Sequence, residues 1–426
     1  MNSYKAMQIE NRYDCVVIGG GASGMMAAIT AARNGARVAI VEHTARLGSK
    51  ILQTGNGKCN FTNLDMDISK FQNDNKEFVG QVLDMFDQNA TIEFFKELGV
   101  WHKERAGYVY PHSETAASLQ EALRLEVERL GISVYLRCRA SEINKVSDNT
   151  YDMVLAEDET DNKVGISVIN IIIATGSKAA PKTGSDGSGY KIAKKFGHTV
   201  KKPLPALVQL ISDNNLCKSM AGVRSTGKVM LYVDDVCVSS DIGEIQYADY
   251  GISGIPVFQI SRYAVEAVDK GKSVKAIIDM IPDISKEELY NDVRIRKECE
   301  TTKSVEQFFA GIVNKKLVYA ACKNIHIDIN ASVETLKLTQ INNIIDELKY
   351  FCFNIISFKG FESGQICQGG VVLSEVNAST MASHLADGVY FAGEILDVDG
   401  MCGGYNLQWA WSSGFVAGLN AAMNIR

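Results

Sequence analysis

The sequence predicts an α/β fold in which one nucleotide-binding domain is built from both ends of the chain. One glycine-rich segment begins at Gly19 and another begins at Gly393, and each follows a short apolar run. Such runs are typical of buried parallel strands. The residues between about 206 and 355 differ, because β-rich and turn-rich stretches there give way to helical patterns. We therefore expect an insert that interrupts the nucleotide-binding domain.

The first glycine segment has the order of a dinucleotide-binding motif. Cys15–Ile18 predicts a buried strand, after which Gly19, Gly21 and Gly24 fit the pattern Gly-x-Gly-x-x-Gly. Glycines at this spacing allow a tight turn, a close approach of a pyrophosphate to the backbone, and close packing of the next helix. That helix is predicted over 22–34, and the free N–H groups at its start favour a diphosphate.

An acidic residue follows at the end of the second predicted strand. Arg37–Val41 predicts that strand, and Glu42 stands 18 residues after Gly24. A carboxylate at this place accepts hydrogen bonds from the adenosine ribose and repels the 2′-phosphate of NADP. This half of the site therefore indicates either FAD or NAD.

The second glycine segment favours FAD. Val389–Ala392 predicts a strand, and Gly393-Glu394 follows at its carboxyl end, where α/β sheets bind ligands. A carboxylate there is suited to the ribityl hydroxyls of a flavin. Gly403-Gly404 then opens a helix that runs to Gly418, and its N-terminus is expected to face the flavin pyrimidine edge, where negative charge gathers on reduction.

These motifs resemble those of a bacterial NAD(P)/FAD-dependent oxidoreductase family, which includes aminoacetone oxidase and a 3-dehydro-bile acid reductase. The segments that carry the resemblance are Gly19–Gly24, Gly48–Leu52, Gly55–Asn63, Ala174–Gly176, Gly251–Gly254 and Phe391–Gly414. The resemblance implies a Rossmann-like FAD-binding domain of the glutathione-reductase type, interrupted by an inserted β-barrel and helical region. The motifs and the resemblance together predict FAD contacts at Gly19, Gly21, Ala22, Ser23, Gly24, Glu42, Lys50, Asn60, Ala140, Thr175, Gly176, Gly393, Glu394, Gly404, Asn406 and Leu407.

The length of 426 residues predicts two or three domains. The expected parts are a flexible extension over 1–12, the first part of the FAD domain over 13–205, the insert over 206–355, and the second part of the FAD domain over 356–426. The insert is expected to define the substrate pocket.

Composition narrows the class of protein. Apolar residues make up 46% and charged residues 22% of the chain, as in ordinary globular proteins. The net charge of −6 gives no reason to expect a nucleic-acid or membrane partner. Ten cysteines occur without a Cys-x-x-Cys pair or a metal-binding pattern. We expect a cytoplasmic protein with reduced thiols, no metal and a small-molecule substrate, and the sequence leaves its oligomeric state open.

A second nucleotide fingerprint is not evident. Gly184-x-x-Gly187-x-Gly189 follows no apolar strand, and no strand-end acid follows it at the required distance. We interpret it as a loop. NAD(P)H is therefore expected to dock transiently at the flavin, unless the substrate itself reduces the flavin and oxygen reoxidises it.

Three side chains are weak candidates for catalysis, namely Cys59, His112 and Cys402. Cys59 lies in a glycine-rich loop, where a buried packing role is the main alternative. His112 follows a loop proline, and Cys402 directly precedes the glycines that open the last helix. Asp397 and Asp399 suit either a proton relay or a turn.

The resemblance favours an FAD-dependent oxidoreductase that reduces an activated C=C bond in a 3-oxo-enone, such as a 3-dehydro bile acid, with electrons from NAD(P)H. One alternative is the oxidation of a small amine such as aminoacetone by oxygen. Another, from a different class, is an FAD-containing protein that modifies tRNA or has a structural or sensing role.

Overall fold

A computed structural model describes residues 9–425 apart from 148–149, 159, 161 and 300–301. Most of the predicted extension, residues 1–8, lies outside the described residues, and Arg12 already belongs to the first strand. The chain divides into two compact units. The first runs up to Leu204 and resumes at Ile366, and the second is Pro205–Gln365.

The strands in chain order are β1 (Ile9–Ile18), β2 (Val38–Glu42), β3 (Thr62–Asn63), β4 (Phe71–Gln72), β5 (His102–Arg105), β6 (Tyr108–Pro111), β7 (Ser133–Leu136), β8 (Cys138–Ser147), β9 (Thr150–Glu157), β10 (Lys163–Ile173), β11 (Val200–Ala206), β12 (Leu210–Ser212), β13 (Arg224–Val233), β14 (Val236–Ala248), β15 (Gly251–Gly254), β16 (Val274–Asp279), β17 (Phe351–Phe358), β18 (Ile366–Val371), β19 (Val389–Phe391) and β20 (Asp399–Gly400).

The α-helices are α1 (Ala22–Arg33), α2 (Lys76–Met85), α3 (Gln88–Glu97), α4 (Ala116–Arg129), α5 (Ser188–Lys195), α6 (Cys217–Met220), α7 (Ile255–Asp269), α8 (Lys286–Cys299), α9 (Val305–Phe309), α10 (Lys315–Asn324), α11 (Leu338–Lys349) and α12 (Tyr405–Met423). No helix within the described ranges is long and apolar enough to cross a membrane.

The main sheet of the first unit has the strand order β7-β2-β1-β10-β9-β8, and β19 also pairs with β10. The pairs β7–β2, β2–β1, β1–β10 and β10–β19 are parallel, whereas β8, β9 and β10 pair antiparallel. All five residues of β2 are buried, as expected for a strand covered on both faces. The carboxyl ends of β1, β2 and β19 therefore meet at one edge of the sheet.

Helices α1 and α12 pack closely through glycines. A Cβ on Gly414 would lie 2.5 Å from Ser23 O, and one on Gly418 would lie 2.2 Å from Ala27 O. Only glycine permits this approach of the two backbones. The contact joins the start of the chain to a helix more than 370 residues later in the sequence.

The second unit contains a closed six-stranded barrel in the order β12-β15-β14-β13-β16-β17. Helix α7 contacts all six strands, and its Val257, Ile260 and Ala264 are fully buried. Helices α8–α11 share the hydrophobic core of this unit. The insert predicted over 206–355 would end inside β17, but β17 pairs with β16 over residues 351–354 and with β12 through Phe358, and the unit continues to Gln365.

Helix starts in the second unit follow local sequence signals. The Ser304 side chain accepts from the Gln307 backbone and the Gln307 side chain accepts from the Ser304 backbone, which forms the capping box that the pattern Ser-x-x-Gln favours. Ser285 and Glu288 make the same reciprocal pair of bonds. A small sheet in the first unit, with the order β3-β6-β5, was not predicted.

Candidate cofactor site

The glycine turn after β1 is held together by contacts that a side chain would break. A Cβ on Gly19, whose φ is 105°, would lie 2.5 Å from Ala174 O, and a Cβ on Gly24 would lie 1.9 Å from Gly19 O. A Cβ on Gly21 would meet no atom within 4 Å. The turn therefore packs on β10 through two of its glycines and leaves open space beside the third.

Glu42 ties the end of β2 to this turn. Its buried carboxylate accepts hydrogen bonds from the N–H groups of Gly20 at 2.8 Å and Thr44 at 2.7 Å. These bonds fix the carboxylate beside the glycine turn, and its contact with the adenosine ribose stays a prediction. Ala140 lies in β8, where it pairs with Leu155, and β8 contacts β2.

Thr175 and Gly176 follow β10 and pack against the start of α5. A Cβ on Gly189 would lie 1.9 Å from Thr175 Oγ1, so this helix needs glycine at its second residue. Gly184 and Gly187 both have positive φ in the preceding turn. The cluster Gly184–Gly189 is thus a loop and a helix start, which agrees with the prediction.

Glu394 is the centre of a polar cluster that joins three distant segments. Its Oε2 accepts from Lys50 Nζ at 2.6 Å and from Ser177 Oγ at 3.1 Å. The side chains of Lys50 and Glu394 are 24% and 19% exposed, so the pair is partly shielded from water. Lys50 and Glu394 were both predicted to contact FAD, and the structure brings them together.

Two further side chains at this cluster were not predicted, because only the folded chain brings them close to Glu394. Tyr190 on α5 is buried, and burial raises the pKa of its phenol well above the ordinary value, with Cys367 and Glu394 adding to the effect. Among the described residues nothing pairs with the Tyr190 hydroxyl. The buried Cys367 thiol on β18 forms a hydrogen bond with the Ser177 side chain, and burial raises the pKa of the Cys367 thiol.

The first turn of α12 is held against the loop that precedes β3. Gly404 has a φ of 93°, and a Cβ there would lie 2.6 Å from Thr62 O and 2.9 Å from Asn60 Oδ1. The first intrahelical bond is donated by Gln408 to Gly404 O. The N–H groups of residues 405–407, which include the predicted Asn406 and Leu407, therefore have no partner within the helix.

The Asn406 side chain has a structural role. Its Oδ1 accepts from Gly400 N–H at 2.7 Å, and its Nδ2 donates to the carbonyls of Gly400 and Met401. These bonds hold the segment that precedes the helix. Both Nδ2 hydrogens are thereby used within the protein, whereas the Asn406 backbone N–H has no partner within the helix.

Buried polar side chains of α12 fix both ends of the site. Trp409 Nε1 donates to Gly393 O at 3.2 Å, and Trp411 Nε1 donates to Phe61 O at 2.9 Å. Gln408 accepts from Thr62 Oγ1 at 2.6 Å. One helix thus positions both the Gly393-Glu394 turn and the loop around Asn60.

Two features of the site fit the FAD that the motifs imply, namely a buried oxygen on Asn60 and an open space beside Gly21. Asn60 Oδ1 is buried, and among the described residues no donor reaches it. The space beside Gly21 lies at the N-terminus of α1, where a diphosphate is favoured. Both features fit FAD, which carries a diphosphate and a ring with a hydrogen-bond donor.

The predicted catalytic candidates differ in their surroundings. Cys59 is fully buried, and burial raises the pKa of its thiol to about 12, so it is a neutral thiol at pH 7 and its environment favours packing. His112 is exposed at the end of β6. Cys402 is half-buried, and it contributes to the raised pKa of the Tyr110 phenol, whose main cause is burial.

Asp397 is occupied by structural bonds. Its Oδ1 accepts from Gly369 N–H at 2.9 Å, and its Oδ2 pairs with Lys201 at 3.1 Å. Asp399 is buried in β20 and pairs with Gln72 of β4 across the strands. For Asp397 these bonds favour the turn role over the proton relay.

Comparison with known proteins decides the family. The model of the family described as HI0933-like protein Rossmann domain matches residues 13–420. The chain belongs to the HI0933-like family. It is 40% identical over 95% of its length to the 3-dehydro-bile acid delta(4,6)-reductase of Clostridium scindens and covers 98% of that protein. It is 28% identical over 95% of its length to the ribosomal RNA dihydrouridine synthase of Haemophilus influenzae and covers 97% of it.

Solved structures agree with this HI0933-like fold. The 3-ketosteroid-delta4-(5alpha)-dehydrogenase of Rhodococcus jostii RHA1 matches with a TM-score of 0.50 and 15% identity, covering 99% of both chains. The 3-ketosteroid delta1-dehydrogenase of Sterolibacterium denitrificans matches with a TM-score of 0.51 and 10% identity over 97% of this chain and 100% of its own. The family match and the 40% identical reductase show that the chain is an oxidoreductase, and the solved structures agree with its Rossmann-like fold.

Proposed function

We propose that this protein is an FAD-dependent reductase that saturates an activated C=C bond in a 3-oxo-enone, such as a 3-dehydro bile acid, with NAD(P)H as a transient electron donor. The observation that carries the proposal is the 40% identity, over 95% of the chain, to a relative named as a 3-dehydro-bile acid delta(4,6)-reductase. Formation of dihydrouridine, named for another relative, is also saturation of a C=C bond conjugated with a carbonyl. Both names therefore favour double-bond reduction over amine oxidation.

The adenosine half of FAD would be held by the first glycine turn. The N-terminus of α1 would hold the diphosphate beside Gly21, where the backbone is uncovered. Glu42 would accept hydrogen bonds from the ribose, because Gly20 and Thr44 already hold its carboxylate in place.

The flavin half would be held by the second glycine segment. Lys50 and Glu394 would bind the ribityl hydroxyls, and Ser177 orients the carboxylate. Asn60 Oδ1 would accept from a ring N–H, since no donor of the described chain reaches it. When bound, FAD supplies the hydride transfer, and the N–H groups at the start of α12 would stabilise negative charge on its ring.

Steady-state turnover of the purified protein tests this proposal. NADH, NADPH and aminoacetone should each first be mixed with the protein under anaerobic conditions, after which a 3-oxo-Δ4-steroid acid is added to the NAD(P)H samples and oxygen to the aminoacetone sample. We expect NAD(P)H to bleach the flavin and the enone to restore its colour. Bleaching by aminoacetone without NAD(P)H would support the oxidase instead. Purified protein that neither contains nor takes up FAD would contradict the cofactor assignment.

A second candidate is the reduction of a uridine in ribosomal RNA, which the 28% identical relative of Haemophilus influenzae favours. The net charge of −6 disfavours binding to a polyanion. A gel-shift titration with ribosomal RNA at low salt separates the candidates. We expect no specific complex, whereas a complex whose RNA gains dihydrouridine after NAD(P)H addition would support the RNA substrate.

A further inference from the structure

One face of the small sheet β3-β6-β5 lies against the loop that opens α12. Asn63 Nδ2 donates to Gly403 O at 2.8 Å, and Tyr108 Cε1 lies 2.8 Å from where a Cβ on Gly403 would be. Asn63 pairs with Tyr108 across the strands, so both side chains lie on the same face of the sheet. This face therefore adjoins the turn proposed to hold the flavin ring.

Two cations share that face with two tyrosines. Lys103 pairs with Tyr110, and Arg105 pairs with Tyr108, in the β5–β6 hairpin. Because directly paired residues and residues two apart point to the same side, all four side chains lie on the face that Asn63 shares. Glu104 pairs with Val109 and so belongs to the opposite face.

Tyr110 connects the cations with the α12 loop. It pairs directly with Lys103, its neighbour Tyr108 on the same face contacts Gly403, and burial raises the pKa of the Tyr110 phenol. It is only half-buried. The two tyrosines thus form a partly apolar path from the loop at Cys402–Gly403 to the cations.

The cations outnumber the acids with which they pair. Arg105 contacts Glu114 Oε1 at 2.7 Å, Lys58 contacts Glu114 Oε2 at 3.6 Å, and Lys103 also contacts Glu114. Three positive charges around one carboxylate leave a formal excess of two. The Arg105 and Lys58 side chains are 63% and 51% exposed. These three cations already bind the carboxylate of Glu114, and their solvent-exposed N–H groups can donate to a second carboxylate.

We propose that Lys58, Lys103 and Arg105 bind the carboxylate of an acidic enone substrate, whose ring system lies along Tyr108 and Tyr110. This inference rests on the proposed function, and it names the substrate class as a 3-oxo-enone that carries a carboxylate at a distance from the reacting double bond. Charge-assisted bonds from arginine and lysine suit a carboxylate. Tyrosine rings suit the apolar body of such a substrate.

Binding of 3-oxo-4-cholenoic acid and its neutral methyl ester to the holoenzyme tests the inference. Isothermal titration calorimetry at low salt should give an affinity for the acid roughly tenfold higher than for the ester, and Arg105→Met should reduce this preference about fivefold, as expected for a partly exposed ion pair. Affinity for the ester should stay unchanged. Arg105→Lys should retain part of the preference, because it keeps the charge.

Arg124→Met is the matched control, since Arg124 lies on the exposed side of α4 and pairs there with Glu121 and Glu128. It should leave both affinities unchanged. Equal binding of acid and ester by the wild type, absence of binding by either, or equal loss of both in Arg105→Met would overturn the inference. Loss of ribosomal RNA binding in Arg105→Met, with no acid preference in the wild type, would assign the cluster to nucleic-acid phosphate and would also overturn it.

The binding readout separates this inference from the proposed function. If the acid binds preferentially but NAD(P)H does not lead to its reduction, the carboxylate site stands and the reductase proposal fails. If acid and ester are reduced and bound equally well, the reductase proposal stands and the carboxylate site fails.

Discussion

Gly21 and Gly24 belong to one fingerprint but have different surroundings. Gly24 is required by the protein itself, because a Cβ there would collide with the Gly19 carbonyl. Gly21 has an ordinary extended backbone with a φ of −78°, and a Cβ there would meet no protein atom. Folding alone therefore gives no reason for glycine at position 21, whereas a diphosphate against the backbone does.

We predict that alanine at position 24 affects the stability of the protein, whereas alanine at position 21 affects the binding of FAD. Gly24→Ala should lower the free energy of unfolding of the apoprotein by on the order of 1–3 kcal/mol, because the methyl group overpacks the turn. Gly21→Ala should leave that free energy unchanged but weaken FAD binding roughly tenfold or more. Thermal unfolding of the apoprotein and fluorescence titration with FAD measure the two quantities.

Gly360→Ala is the control for Gly21→Ala, because a Cβ at Gly360 also meets open space and its φ is not positive. It should change neither quantity. Undiminished FAD affinity in Gly21→Ala would contradict a diphosphate at this turn.

The buried Cys59 thiol gives a prediction about pH. Since its pKa is raised to about 12, the fraction of thiolate at pH 7.5 is very small and rises about tenfold per pH unit. Iodoacetamide should modify the exposed Cys237, Cys299 and Cys352 first and leave Cys59 unmodified in the folded protein. Peptide mass spectrometry after timed labelling measures the order.

Cys59→Ser should retain turnover if the thiol only packs against its neighbours. Early alkylation of Cys59 at neutral pH, together with loss of turnover, would instead support the catalytic role.

Helix α12 supports most of the site at the level of elements. Its side chains bond to the loop before β3 and to the turn after β19, and its glycines bring it against α1. The helix is nearly all buried, so it lacks a polar face. Its buried polar side chains therefore need hydrogen-bond partners within the protein, and Gln408, Trp409 and Trp411 each donate to a backbone carbonyl.

We predict that the α1–α12 contact is sensitive to one methyl group. Gly418→Ala should lower the thermal midpoint of the first unit, because the added Cβ would lie 2.2 Å from Ala27 O, and overpacking of this kind costs about 1–3 kcal/mol. Met423→Ala in the same helix is the control, since Met423 is 58% exposed. Equal midpoints for the two variants, measured by circular dichroism, would show that the helices separate without cost.

The elements predicted best were those in which local pattern and tertiary role agree. The helix predicted over 22–34 is α1, and the strand before Glu42 is β2, because periodicity and glycine spacing dictate both. The sheet that carries Tyr108 and Tyr110 was not predicted, because β3 has two residues and its pairing with β6 depends on distant contacts. Ser177 and Tyr190 were missed for the same reason, since their importance comes from Glu394, which lies far away in sequence.

The described residues form two hydrophobic cores, one for each unit. All residues assigned to FAD belong to the first unit, and so do the three tryptophans, Trp101, Trp409 and Trp411. Tryptophan fluorescence therefore reports on the first unit alone, whereas helices α7–α11 contribute circular dichroism from the second.

We predict that FAD raises the unfolding temperature seen by fluorescence more than that of the second unit. Ligand at about 100 times its Kd stabilises the state that binds it by about 2.7 kcal/mol, which corresponds to roughly 5–10 °C for a unit of this size. Differential scanning calorimetry with and without FAD should resolve two transitions, of which one shifts. A single transition that moves as a whole would show that the units unfold together.

The closure of the site by α12 has a consequence for biosynthesis. The first glycine turn leaves the ribosome early, but its partner helix is made more than 370 residues later. Until α12 emerges, the α1 backbone at Ser23 and Ala27 lacks the glycines that pack against it, and the loop around Asn60 lacks the indole and amide groups that hold it. We therefore expect FAD to bind only after α12 has been synthesised. The barrel unit, which is synthesised earlier, can fold before that step.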